Sequence, residues 1–186
     1  MGVVNTVDRL LFSDDSRTTL GTGLSVSRYS TAGFASSVAG YFAGGNNASY
    51  AGTTTVDRYL FADDSRTTLG TGISTALDRA GGAASSVAGY VAGGYGGGDH
   101  GTVDRFLFAD DSRTTLGTGL SVTRRGLAGM ASTAAAYFGG GYSGADPEGI
   151  QSTVDRFLFA DDTRTTLGTG LSVTKRNLTG FANLGA

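Results

Sequence analysis

The stretch Thr102-Val-Asp-Arg-Phe-Leu-Phe-Ala-Asp-Asp-Ser-Arg-Thr-Thr-Leu-Gly-Thr-Gly-Leu-Ser121 occurs four times with few changes, the other copies starting at Thr6, Thr55 and Thr153. The starts lie 49, 47 and 51 residues apart. Self-similarity at such a period means one supersecondary unit used repeatedly, each unit burying its apolar surface against the next. Length alone, at 186 residues, leaves room for more than one ordinary domain. The repeat instead makes residues 1–186 a single repeat domain.

Working outward from that stretch, each unit divides into four short segments. In one unit they are Ala80-Gly-Gly-Ala-Ala-Ser-Ser86, Ala88-Gly-Tyr-Val-Ala-Gly-Gly94, Val103-Asp-Arg-Phe-Leu-Phe-Ala109 and Arg113 to Ser121. Glycine, Asp-Asp and Ser-Arg clusters separate them, so they read as strands joined by turns. Four strands in about 50 residues is the size of a propeller blade. The third segment alternates Val56, Arg58 and Leu60 with Asp57, Tyr59 and Phe61. Both faces are largely apolar, as a sheet covered on both sides requires. Gly44-Gly45, Gly93-Gly94 and Gly140-Gly141 close the second segment, where φ > 0 and close backbone approach near an axis are expected. Leu-Gly-Thr-Gly-Leu reads as a bulged outer strand. It lacks the lysine and the following helix of a phosphate-binding loop.

Composition excludes several classes. Glycine is high at 32 residues and Pro147 is the one proline, yet aromatic and aliphatic runs interleave with glycine at a fixed period, which disorder would not produce. A net charge of −2 without a basic stripe argues against a nucleic-acid partner. No apolar run is long enough to cross a bilayer, and Met1 to Asn5 lacks the features of a signal peptide. The absence of cysteine removes disulfides, thiolate metal sites and thiol catalysis.

The order of motifs resembles the kelch family of β-propellers. It runs Arg124/Arg125, Leu127-Ala-Gly-Met130, Ala136-Tyr-Phe-Gly-Gly-Gly141, a loop from Tyr142 to Ser152, Val154-Asp-Arg-Phe157 and Thr165-Thr-Leu167. The resemblance covers nearly the whole chain. It departs where that family often has tryptophan on its fourth strand; Leu20, Leu69, Leu116 or Leu167 stands there. It implies an all-β propeller of about four blades of four antiparallel strands and no particular activity. Copper oxidases with kelch-like blades use a Tyr–Cys crosslink, which a chain without cysteine does not form. Three blades are expected whole, near 31–74, 80–122 and 127–172. A fourth is expected to close from the terminal strands, at Val7 and at Gly180 to Ala186, lacking one strand.

Candidate chemistry is sparse. The pairs Asp14/Asp15, Asp63/Asp64, Asp110/Asp111 and Asp161/Asp162 could bind Ca²⁺, but an Asx-type turn neutralised by Arg17, Arg66, Arg113 or Arg164 is the expected role. Asp8/Arg9, Asp57/Arg58, Asp104/Arg105 and Asp155/Arg156 lie within apolar strands and need partners; salt bridges between blades are expected. His100 is the one histidine, so no triad can be assembled in each repeat. The loops Asn46 to Thr54, Tyr95 to Gly101 and Tyr142 to Ser152 differ while the strands barely do. Tyr50, Tyr95, His100 and Tyr142 are the candidate ligand-binding residues there, with Asn46, Asn47, Asp99 and Asp146 nearby. Asn47-Ala-Ser49 and Asn177-Leu-Thr179 match the glycosylation pattern.

These readings converge on a non-enzymatic, cofactor-free structural module that forms a homo-oligomer or larger assembly, as in a virion, fibre or cell-surface component. The alternative is a recognition head that binds glycan or protein through the loops between strands two and three. Neither nucleic acid nor membrane insertion is expected.

Overall fold

The computed structural model describes residues 3–144 and 149–180. Asp146 and most of the expected strand from Gly180 to Ala186 lie outside the described residues. Within them the elements are β1 (Asp8–Leu10), β2 (Arg17–Thr19), β3 (Ala32–Ala35), β4 (Ala39–Ala43), β5 (Val56–Leu60), β6 (Arg66–Thr68) and β7 (Gly81–Ala84). There follow β8 (Ala88–Ala92), β9 (Val103–Leu107), β10 (Arg113–Thr115), β11 (Ala128–Ala131), β12 (Ala135–Gly139), β13 (Val154–Leu158) and β14 (Arg164–Thr166).

The strands form three four-stranded sheets, each paired in sequence order, and one two-stranded sheet, β1-β2. All pairings are antiparallel, as short turns between consecutive strands require. The Val-Asp-Arg strand sits third in each full sheet, with Tyr90 opposite Arg105 and Asp104 opposite Thr115. The fourth strand is shorter than expected. Arg113-Thr-Thr115 pairs, the Leu116 N–H still reaches the Val103 carbonyl at 2.8 Å, and the Gly-Thr-Gly run then leaves the sheet and packs so closely that a Cβ at Gly119 would lie 2.2 Å from the Gly101 carbonyl.

Successive sheets stack face to face in a propeller-like arrangement. Two apolar cores fill the spaces between the three full sheets. In the first, Phe34 stacks on Tyr41 at 4.8 Å and on Phe106 of the next sheet at 5.9 Å. At the inner edge the chains come so close that only glycine fits. A Cβ at Gly82 would lie 2.1 Å from the Gly33 carbonyl, one at Gly129 2.1 Å from that of Gly82, and one at Gly180 1.9 Å from that of Gly129. The crowding at the axis therefore falls on the first strand. The double glycines instead take positive φ beside connector carbonyls, with Gly93 at 65° facing that of Arg124. The four inner edges line one cavity of about 250 Å³.

The ring does not close. Among the described residues β1 pairs with β2 alone, and no terminal strand joins them. A Cβ at Gly33 would meet nothing within 4 Å, so the position that would receive the carbonyl of Gly180 is open. The described residues thus form an open arc, and the strand expected to close it from Gly180 to Ala186 lies, past Gly180, outside the described residues. Closure depends on the summed rotation between sheets, which no local motif encodes.

Candidate functional site

The sheets are locked to one another by the residues that the repeats share. The first aspartate of each pair makes the turn: Asp14, Asp63, Asp110 and Asp161 accept from the backbone N–H of Ser16, Ser65, Ser112 and Thr163 at 2.9–3.0 Å. Asp15, Asp64, Asp111 and Asp162 follow with φ of 56–58°, a left-handed conformation that aspartate tolerates. Asp64, Asp111 and Asp162 then pair with Arg9, Arg58 and Arg105 of the preceding sheet. Tyr41 and Tyr90 donate to Asp111 and Asp162 at 3.2 and 3.0 Å. Burial, helped by Asp111, pushes the Tyr41 hydroxyl up to about 12. Among the described residues no group of three or more His, Cys, Asp or Glu could hold a metal.

The arginine after each pair does not neutralise the turn, as was expected of it. Arg17, Arg66, Arg113 and Arg164 point across the hairpin to Asp8, Asp57, Asp104 and Asp155 at 2.9, 3.7, 3.3 and 3.5 Å. Those last three aspartates are also held from the connector entering their sheet. Ser25, Ser74 and Ser121 each donate N–H and Oγ–H to them at 2.7–3.0 Å. Buried Arg28 and Arg124 pair with Asp57 and Asp155 at 3.0 Å, while Leu77 occupies the matching place near Asp104.

The residues that differ gather at the mouth of the central cavity. There the connector pairs with the residue after each double glycine, as Tyr29 with Asn46, Asp78 with Tyr95 and Arg125 with Tyr142. The next connector residues, Ser30, Arg79, Gly126 and Asn177, all have φ of 54–63°. They form a backbone chain around the mouth: Arg79 donates to Ser30, Gly126 to Arg79 and Asn177 to Gly126, at 3.0, 2.8 and 2.7 Å.

Side chains continue the pattern. The Arg125 guanidinium lies between the rings of Tyr95 and Tyr142, at 4.4 and 4.1 Å from their centroids, and pairs with Asp99 at 2.6 Å. Arg79 also lies over the Tyr95 ring, at 5.2 Å from its centroid, and donates to the Tyr142 hydroxyl at 3.1 Å. Next to this stack, Tyr29, Ser30, Asn46, Tyr50, Asp78, Arg79 and Tyr95 line a cavity of about 330 Å³. Asp78 is only 2% exposed; one carboxylate oxygen takes Asn46 and Arg79 at 2.7 and 2.8 Å, and the other has no partner among the described residues.

Of the residues expected to bind ligand, Tyr50 and Tyr95 line this cavity, and Tyr142 is buried behind the arginine stack. His100 stands apart, its backbone bridging Gly94 and Arg124 at 2.9 and 3.0 Å. Sequence reasoning missed Tyr29, Asp78, Arg79 and Arg125, which lie in connectors. The signal was present: at these connector positions, next to shared strands, the repeats read Tyr-Ser, Asp-Arg, Arg-Gly and Arg-Asn.

No family model and no curated protein matches the chain. Among solved structures 159 chains match. One, the structure of YjhT, superposes with a TM-score of 0.77 at 12% identity, over 95% of this chain and 65% of that one. The chain therefore spans just under two thirds of that structure's length, and at this identity the likeness shows the fold alone.

Proposed function

We propose that the chain is a non-enzymatic structural module of kelch-like propeller blades that assembles with its own kind, as in a virion, fibre or cell-surface component. The observation that carries this reading is where repeat identity resides. The residues kept in all copies are those that lock one sheet to the next: the turn aspartates, the strand arginines and the connector serines. A chain whose shared residues are spent on like-to-like interfaces is suited to extending such interfaces. Sedimentation velocity across a wide concentration range tests it. Species heavier than the 18.8 kDa chain are expected, and a single 18.8 kDa species throughout would sink the reading.

A second reading, recognition of a glycan or protein at the mouth, is favoured by the cavity beside Tyr50, Tyr95 and the half-satisfied carboxylate of Asp78. Hydroxyl donors suit that free oxygen and aromatic rings suit an apolar sugar face. Glycan-array binding that is lost in Tyr95→Ala and Asp78→Ala would support it; binding unchanged in both would remove it.

A further inference from the structure

Because the sheet-to-sheet contacts recur, every contact has an address in each repeat, and the unfilled addresses can be read off. Arg9, Arg58 and Arg105 pair with the second aspartate of the following turn. The arginine left over is Arg156, which has no ion pair among the described residues and whose Nη2 reaches Thr165 at 3.4 Å. The aspartate left over is Asp15, which has no ion pair among the described residues.

The same subtraction applies to the aromatic contacts. Phe108 stacks on Tyr41 of the preceding sheet at 5.4 Å, and Phe159 on Tyr90 at 5.5 Å. Among the described residues Phe12, at 97% exposure, has no such ring, and Tyr137 on the last full sheet has no such phenylalanine. It applies again to the connectors. Ser25, Ser74 and Ser121 hold the strand aspartates, which among the described residues leaves exposed Ser172 facing no carboxylate and leaves Asp8, 44% exposed, without a serine. At the inner edge the open face of Gly33 matches the carbonyl of Gly180, and the Ser30 N–H matches the carbonyl of Asn177.

Among the described residues, every vacancy named on the side of β1 to β3 thus has its complement on the side of β12 to residue 180, in charge, ring and backbone polarity. We propose that a second copy of this chain docks head to tail, placing Asp15 on Arg156, Phe12 on Tyr137 and Asp8 on Ser172. This rests on the reading of the chain as an assembling module and names its partner and surfaces. β1 and β2 of one copy and the 178–180 segment of the other then belong to one composite sheet. The contact is heterologous, because the two surfaces differ, so it continues until the rotation closes a ring.

The test uses the whole chain in two variants, Asp15→Arg and Arg156→Asp, both at positions that the isolated arc leaves without an ion-pair partner. Alone, each places like charges at every junction, and association should weaken at least tenfold by light scattering or native mass spectrometry. Mixed in equal amounts they should assemble again, because each junction then pairs Arg with Asp in one sense or the other. Phe12→Ser should weaken association with no charge change, and far-ultraviolet circular dichroism checks that each variant is folded. Assemblies that ignore all three substitutions would overturn this contact while leaving the assembling reading intact. A wild-type chain that stays monomeric would overturn both. A mixture that fails to recover would also refute the pairing.

Discussion

Asp155→Asn and Asp104→Asn differ in one feature of their surroundings, so the pair isolates what a buried arginine contributes. Asp155 and Arg124 are both wholly excluded from water and 3.0 Å apart. Removing the carboxylate charge leaves a guanidinium at 0% exposure with its Nε already unpartnered. Breaking a buried pair from one side costs about 3–5 kcal/mol. Asp104 makes the same contacts to Ser74, Thr115 and Arg113, but Leu77 replaces the buried arginine and Arg113 is 24% exposed. Asp104→Asn therefore weakens hydrogen bonds without stranding a buried cation, at about 1–2 kcal/mol. For a chain of this size 1 kcal/mol moves Tm by about 2–4 °C. Asp155→Asn should thus lower Tm by on the order of 10 °C and Asp104→Asn by about a third of that, read by thermal unfolding at neutral pH. Equal losses at the two sites, or a larger one at Asp104, would refute the stranded-charge argument.

Other consequences are as direct. Gly82→Ala drives a Cβ into the Gly33 carbonyl at 2.1 Å and should cost about 3 kcal/mol or more in urea unfolding, whereas Gly33→Ala, facing open space, should change the isolated chain by less than about 1 kcal/mol. Burial opposes ionisation of Asp57 and Asp155, but Thr68 and Thr166, Ser25 and Ser121, and the charges of Arg28 and Arg124 outweigh it, so both carboxyls titrate below their usual value. Their stabilisation is complete above the unfolded-state pKa of about 3.9 and is lost as pH falls through the lower folded value. Tm should therefore hold down to about pH 4 and fall below it, and Asp57→Asn with Asp155→Asn should flatten that fall. Arg105→Met removes a partly exposed pair to Asp162, with side chains 28% and 17% exposed, and should cost about 1 kcal/mol, a loss beyond 3 kcal/mol counting against the partial exposure seen here.

The sheets were legible because the signal is local. Alternation in Val-Asp-Arg-Phe-Leu and the punctuation by Asp-Asp and Gly-Gly set strand, order and turn within one repeat. The inter-sheet bridges were legible as a need, since Arg58 and Arg105 in apolar strands required partners, but their partners were not. Sequence adjacency suggested Arg113 for the turn at Asp110/Asp111, whereas register carries Arg113 across the hairpin to Asp104 and leaves Asp111 for Arg58. The mouth was half legible. Tyr50 and Tyr95 stood out on variable loops, but Asp78 and Arg79 lie in a connector that reads as linker until three sheets are placed around it. Closure was not legible, since it depends on the rotation summed over the sheets and not on any one motif.

The second aspartate of each turn also explains why the pair is Asp-Asp. Position two needs a side chain that accepts a left-handed backbone and a carboxylate short enough to reach only the neighbouring strand arginine. Asparagine meets the first need but lacks the carboxylate, and glutamate supplies a carboxylate on a longer stem while tolerating the left-handed backbone less well. Asp15 separates cause from effect here: it keeps φ at 56° with no ion pair among the described residues, while Asp64, Asp111 and Asp162 stand at 57–58° with one. The backbone form therefore belongs to the turn, closed by Asp14 on the Ser16 N–H at 3.0 Å, and not to the ion pair. The carboxylate is aimed before its partner arrives. At the free end of the arc this means Asp15 is held ready for a cation at no further backbone cost, the condition under which an exposed charge pair contributes most to docking.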